Sequence, residues 1–98
     1  MTITKQQNGD ALTIALEGRL DTITAPDLEK ELKDSLDGVN ALTLDFAKLD
    51  YISSAGLRVL LSAHKAMSRK GGLKVTNVSE IVNEVFEVTG FADILTIE

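Results

Sequence analysis

Apolar and polar positions alternate along the first part of the chain. Ile3 stands between Thr2 and Thr4 within Met1–Gln7, and Leu12, Ile14 and Leu16 share one side of Ala11–Glu17. A period of two residues places such side chains on one face of a strand. Between the two runs, Asn8-Gly9 or Gly9-Asp10 is a hairpin turn signal, so the opening reads as two antiparallel strands. The period then changes. After a connection over 18–25, Ala25, Leu28, Leu32 and Leu36 recur at helical spacing, with Glu29, Lys30, Glu31, Lys33 and Asp34 on the wet side. Thr24 and Asp27 have the spacing of a capping box. Pro26 suits the first helical turn, where its missing N–H costs nothing, and Gly38 is the stop signal.

Leu42, Leu44 and Phe46 restore the two-residue alternation and predict a strand over Ala41–Phe46. The alternation lapses over Ala47–Ser53, which reads as a loop. A second helix is expected from near Ser54 to Gly71-Gly72. Leu57, Val59, Leu60, Leu61, Ala63, Ala66 and Met67 share its broad apolar arc, opposite Arg58, Ser62, Lys65 and Arg69. Leu73–Asn77 reads as a fourth strand. Ser79 caps a third helix carrying Ile81, Val82, Val85 and Phe86 on one face, and Gly90 ends it. Ile94–Ile97 is a last strand or an extended tail. The order β-β-α-β-α-β-α-β is that of an α/β domain with a small mixed sheet of about five strands: alternation with helices makes it partly parallel, and the opening hairpin makes it mixed. No linker, repeat or low-complexity segment interrupts 1–98, which reads as a single domain.

Composition narrows the function classes. A chain of 98 residues supports one core, and with only Phe46, Tyr51, Phe86 and Phe91 as aromatics that core must come from Leu, Ile, Val and Ala. The net charge of −5 argues against nucleic acid and against anionic lipid, both of which reward Lys and Arg. Without cysteine there is no disulfide, thiolate nucleophile or zinc–thiolate site, and a small domain lacking such staples fits the cytoplasm. Met1–Asp10 is polar and lacks an apolar stretch of signal-peptide length. No apolar run approaches the roughly 20 residues of a membrane span, so direct membrane insertion is not expected.

Candidate chemistry is sparse. His64 is the only histidine; it lies mid-helix at the border of the apolar arc, with no nucleophile or carboxylate spaced to work with it. Asp45 and Asp50 flank a loop but form no ligand pattern, and neither a dinucleotide fingerprint nor a phosphate loop occurs, so no metal or cofactor is expected. Glu80, Glu84 and Glu87 line one side of the third helix, either as a solvated face or as a surface for a basic partner. What remains is Asp50-Tyr51-Ile52-Ser53-Ser54-Ala55-Gly56-Leu57. It places two hydroxyls where the chain enters a helix. There, free N–H groups and a partial positive charge would accommodate a phosphoryl group. Alternatively, Ser53 or Ser54 simply caps the helix.

Several segments, in this order, resemble the anti-sigma factor antagonists of the STAS domain class. They are Glu17-Gly18-Arg19-Leu20-Asp21 followed by Thr24-Ala25-Pro26, Leu44-Asp45-Phe46 leading into Ile52-Ser53-Ser54-Ala55-Gly56-Leu57, and Val88-Thr89-Gly90-Phe91. The resemblance spans essentially the whole chain. It implies a small mixed sheet with helices mainly on one face, and a non-enzymatic protein that sequesters an anti-sigma factor with GHKL-type serine kinase activity. That kinase phosphorylates a serine at the start of the second helix and thereby ends binding, and a PP2C-type phosphatase restores it. The family's acceptor lies two residues before the helix glycine, which is Ser54 counted back from Gly56. Ser53 occupies the position of the family's usual Asp and is the secondary candidate acceptor; Ala55 replaces a second hydroxyl residue. Asp21 matches an acidic position near the acceptor.

The resemblance therefore implies an interface made of Asp21, Thr22, Thr24, Ser53, Ala55, Gly56 and Arg58, extending along the second helix to Ser62 and Lys65. Phosphate would add about −1.5 to −2 charges to it. A competing reading keeps the fold without phosphoregulation, as a binding subunit or adaptor in a lipid-transport or other signalling complex. An enzyme built on Asp21, Asp45 or Ser54 is disfavoured, because His64 lies roughly 15 Å along the helix from Ser54.

Overall fold

The computed structural model describes residues 1–98. The opening alternation forms β1 (Thr2–Asn8) and β2 (Ala11–Leu20), paired antiparallel with Asn8 opposite Ala11. Of the two turn signals, Gly9-Asp10 is the loop, and Gly9 takes φ +65°. There follow α1 (Ala25–Ser35), β3 (Ala41–Ile52), α2 (Ser54–Met67), β4 (Leu73–Thr76), α3 (Glu80–Thr89), a single 3-10 turn (Phe91–Asp93) and β5 (Thr96–Ile97). Strand order in the sheet is β1-β2-β3-β4-β5, with β2 to β5 mutually parallel. Each crossover therefore steps one strand in the same direction. Right-handed crossovers then place all three helices on one face of the sheet.

Burial follows from that arrangement. Leu12, Ile14 and Leu16 of β2, Leu42, Leu44 and Phe46 of β3, and Leu73 and Val75 of β4 point under the helices. The helices answer with Leu28 and Leu32, with Leu57, Leu60 and Met67, and with Val82 and Phe86. Phe46 and Phe86 meet with ring centroids 6.4 Å apart. No polar or charged side chain is buried, so the core requires no internal polar network. On β1, Lys5 pairs with Glu31 at 2.6 Å and donates to Ser35 Oγ at 3.2 Å, laying its stem across α1. No helix is long and apolar enough to cross a membrane.

Three expectations need correction. The segment Ala47–Ser53 is not a loop, because β3 continues to Ile52. Its register against β2 shifts between Ala15 and Glu17, which pair with Asp45 and Lys48, and again between Gly18 and Arg19, which pair with Leu49 and Tyr51. Each bulge inserts a residue on β3, so the buried positions advance from Phe46 to Leu49 to Ile52 in steps of three. The period-two signal vanishes while the strand persists. Secondly, Thr24 is the N-cap of α1 but its side chain forms no cap bond, so the capping box with Asp27 is absent. Its hydroxyl is engaged in the preceding loop instead. Thirdly, Ile81 is 62% exposed; on α3 Val82 and Phe86, one turn apart, are fully buried and Val85 packs half-buried against the core.

Candidate functional site

Parallel β2 and β3 end side by side, with Leu20 opposite Ile52. Each strand leads into a helix, so the Asp21–Thr24 loop and the start of α2 are neighbours. The Ser53 N–H donates to the Leu20 carbonyl at 2.9 Å and ties them together.

The two serines do different jobs. Ser53 is the N-cap of α2, in extended conformation (φ −101°, ψ 175°), and its hydroxyl accepts from the Gly56 N–H at 3.5 Å. Its carbonyl accepts the Leu57 N–H at 2.9 Å, the first bond of the helix. Ser53 is half-buried, whereas Ser54 at the first helical position is exposed and its hydroxyl has no role in the cap. The N–H groups of the first turn converge on this end of α2 and give it positive potential.

Gly56 sets how close α2 comes to the sheet. A Cβ there would lie 2.7 Å from Leu20 Cγ and 2.9 Å from Ile52 Cγ1. Both side chains are fully buried, so only glycine lets the first turn of α2 rest on the ends of β2 and β3.

The Asp21–Thr24 loop is a closed hydrogen-bonded unit. Asp21 Oδ1 accepts from the N–H groups of Ile23 at 3.0 Å and Thr24 at 3.1 Å. The Thr24 hydroxyl accepts from the Asp21 N–H at 2.9 Å and donates to the Arg19 carbonyl at 2.8 Å. The Thr24 N–H, above all, holds the Asp21 carboxyl below its ordinary range against the opposing effect of desolvation, with lesser help from the Ile23 N–H, the Thr24 hydroxyl and the Arg19 charge. Arg19 lies over the Tyr51 ring, 4.2 Å from its centroid, and 3.8 Å from Asp21 Oδ2. Asp21 therefore stays ionised near neutral pH and acts first as the organiser of its own loop.

Between α1 and α2, next to this loop, is a groove of about 350 Å³ lined by Thr22, Ala25, Pro26, Glu29, Ala55, Arg58 and Val59. Arg58, one turn beyond Ser54, is exposed, as are Ser62 and Lys65 further along α2. The fold thus gathers Asp21, Thr22, Thr24, Ser53, Ser54, Ala55, Gly56 and Arg58 at one end of the sheet. His64 is half-buried further along α2. Asp45 is held elsewhere: its Oδ1 accepts from Asn77 Nδ2 and from the Ala47 N–H, each at 3.0 Å, pinning the first β3 bulge to the loop before α3. No three or more His, Asp or Glu side chains converge as a metal site would need. Ile23, 84% exposed at the tip of the loop, is a surface feature that the sequence pattern does not single out.

The comparisons with known proteins agree with this architecture. The STAS domain model matches residues 2–98. The chain belongs to the STAS domain family of the anti-sigma factor antagonists. It is 37% identical to BtrV of Bordetella bronchiseptica over 99% of this chain and 85% of that protein. It is 30% identical to the anti-sigma-B factor antagonist of Bacillus subtilis over 94% of this chain and 85% of that one. The Bacillus cell fate determinant SpoIIAA shares the fold. Its unphosphorylated form superposes with a TM-score of 0.85 at 18% identity, covering 99% of this chain and 88% of that one. Its phosphorylated form gives 0.76 at 17% identity, covering 99% and 91%.

Proposed function

We propose that this chain is an anti-sigma factor antagonist that works by binding, not by catalysis, and that phosphorylation of Ser54 releases its partner. The observation that carries the reading is the division of labour between adjacent hydroxyls. Ser53 is committed to the cap, while Ser54 projects uncommitted from the same turn. A kinase can therefore take the Ser54 hydroxyl without breaking a structural bond. Ser53, half-buried and capping, is the poorer acceptor. The existence of SpoIIAA in a phosphorylated form supports a phosphorylated state on this fold.

The partner in this reading is an anti-sigma factor that carries GHKL-type serine kinase activity, with a PP2C-type phosphatase to reset the switch, all in the cytoplasm. The unmodified Ser54 side chain is small and neutral, so a partner closes over the loop, Arg58 and the groove. Phosphate brings about −1.5 to −2 charges into that interface. Each 1.4 kcal/mol of repulsion or desolvation lowers affinity about tenfold, so local electrostatics suffices and no refolding is needed.

The test is the affinity for the cognate anti-sigma factor of the wild type, Ser54→Ala and Ser54→Asp. Binding kept by Ala and lost by Asp is expected. Equal binding by all three would sink the switch and favour the adaptor reading, in which the same fold is a constitutive subunit.

A further inference from the structure

The surface around Ser54 carries one large apolar side chain that the fold does not use. Ile23 is 84% exposed at the tip of the Asp21–Thr24 loop. An exposed isoleucine on a mobile segment would mean little. This loop is held from within: Asp21 Oδ1 takes the Ile23 and Thr24 N–H groups, and the Thr24 hydroxyl bridges the Asp21 N–H and the Arg19 carbonyl. The Ser53 N–H bond to Leu20 then fixes the base of the loop to the start of α2. Ile23 is thus presented on a preorganised knob, so that its burial against a partner costs little further ordering. Its neighbour Thr22 lines the same groove as Ala55 and Arg58, which makes the knob continuous with the switch surface.

We infer that Ile23 is the apolar anchor with which this chain holds its anti-sigma factor, and that the partner receives it in an apolar pocket beside the surface that meets Ser54. The inference rests on the proposed function for the identity of the partner. Interfaces draw most of their affinity from a few fully desolvated side chains, ringed by contacts that exclude water. Here the anchor supplies affinity and Ser54 supplies control. Phosphorylation acts at the rim of the contact that Ile23 makes.

Ile23→Ser and Ile23→Ala are the informative variants, measured by calorimetry against the cognate anti-sigma factor with the wild type and Ser54→Asp alongside. Full burial of an isoleucine predicts a tenfold to hundredfold loss of affinity, about 1.4 to 2.8 kcal/mol. Ile23→Val stays within about fivefold of wild type. Thermal midpoints are unchanged, since the side chain touches no core. Val88→Ser is the control: Val88 is 88% exposed in the last turn of α3, at the opposite end of the sheet, and its loss leaves binding intact. Wild-type affinity in Ile23→Ser, with release by Ser54→Asp preserved, overturns the anchor and leaves the switch standing. Weakened Ile23→Ser with no response to Ser54→Asp does the reverse. An equal loss in Val88→Ser also overturns the anchor. So does a concentration-dependent self-association that Ile23→Ser abolishes, which would make a second copy of the chain the occupant.

Discussion

Replacing Gly56 by alanine tests the packing that positions Ser54. In an exposed helix interior the exchange favours the helix by about 1 kcal/mol. At Gly56 the added Cβ falls 2.7 Å from Leu20 Cγ, 3.1 Å from Leu20 Cδ2 and 2.9 Å from Ile52 Cγ1. Non-bonded carbons prefer about 3.5–4.0 Å, so helix and strands must part by roughly 1 Å. Leu20 and Ile52 are 0% and 2% exposed and have nowhere to retreat. Overpacking of this kind costs about 1–3 kcal/mol. The clash offsets or outweighs the propensity gain and leaves a net loss of up to about 2 kcal/mol. For a domain of this size that lowers the melting temperature by up to roughly 16 °C. Urea unfolding reads the free energy, and a double-mutant cycle identifies its cause. Leu20→Ala alone costs about 2–5 kcal/mol. In the double variant the methyl introduced by Gly56→Ala enters the space that Leu20 vacates, so the combined loss is smaller than the sum by about 1 kcal/mol or more. Strict additivity, or a Gly56→Ala protein more stable than wild type, would refute the close seating of α2 on β2 and β3.

Two further outcomes bear on the cap of α2 and on stability in acid. Ser53→Ala is expected to cost about 0.5–1 kcal/mol in urea unfolding, the lower part of the range for a cap, because its bond to the Gly56 N–H is long at 3.5 Å. Ser54→Ala stays within about 0.5 kcal/mol of wild type; a larger loss at Ser54 than at Ser53 would mean the cap is misassigned. The second concerns acid. The Asn77 amide, followed by the Ala47 N–H, holds the Asp45 carboxyl below its ordinary value. A carboxyl whose pKa is lower in the folded state stabilises the fold above its unfolded pKa, about 3.9, and that contribution disappears as pH falls through the folded value. Stability should therefore decline below about pH 4, and Asp45→Asn should flatten that decline while lowering stability at pH 7. An acid limb in Asp45→Asn as steep as in wild type would contradict it.

The alternation of β1, β2 and the first half of β3, and the apolar arcs of α1 and α2, are legible in the sequence because each follows a single period. The second half of β3 is not. Its bulges spread Phe46, Leu49 and Ile52 at three-residue steps, a spacing that no strand rule recognises. The position of the two serines at a strand-to-helix joint is also legible, but not which one caps. Adjacent identical residues carry no such signal; the choice is made by backbone geometry, once the Ser53 N–H has bonded to Leu20 and left that residue extended. The spacing of Thr24 to Asp27 suggests a cap. Thr24 closes the loop instead: its hydroxyl accepts from the Asp21 N–H and donates to the Arg19 carbonyl, and its backbone is already helical (φ −93°, ψ −20°). Ile23 between two threonines looks like any core candidate until the loop is seen to turn it outward. Ile81 departs from expectation for a related reason: α3 buries only a narrow stripe, and one residue of offset moves a side chain about 100° around the helix.

The assignment of the cap to Ser53 also bears on what a phosphoryl group would do to the domain itself. Were Ser54 the cap, esterifying its hydroxyl would disturb a bond that starts α2, and loss of binding would be inseparable from loss of structure. With Ser53 as the cap, the added charge instead sits at the positive end of an intact helix, where a negative group is favoured by about 0.3–1 kcal/mol when exposed. Phosphorylation then leaves the fold as stable as before or slightly more so. In the proposed switch, release would then come from the interface alone, through charge placed against a surface that had accepted a neutral hydroxyl. Such a switch reverses fully on dephosphorylation, because the domain has nothing to refold.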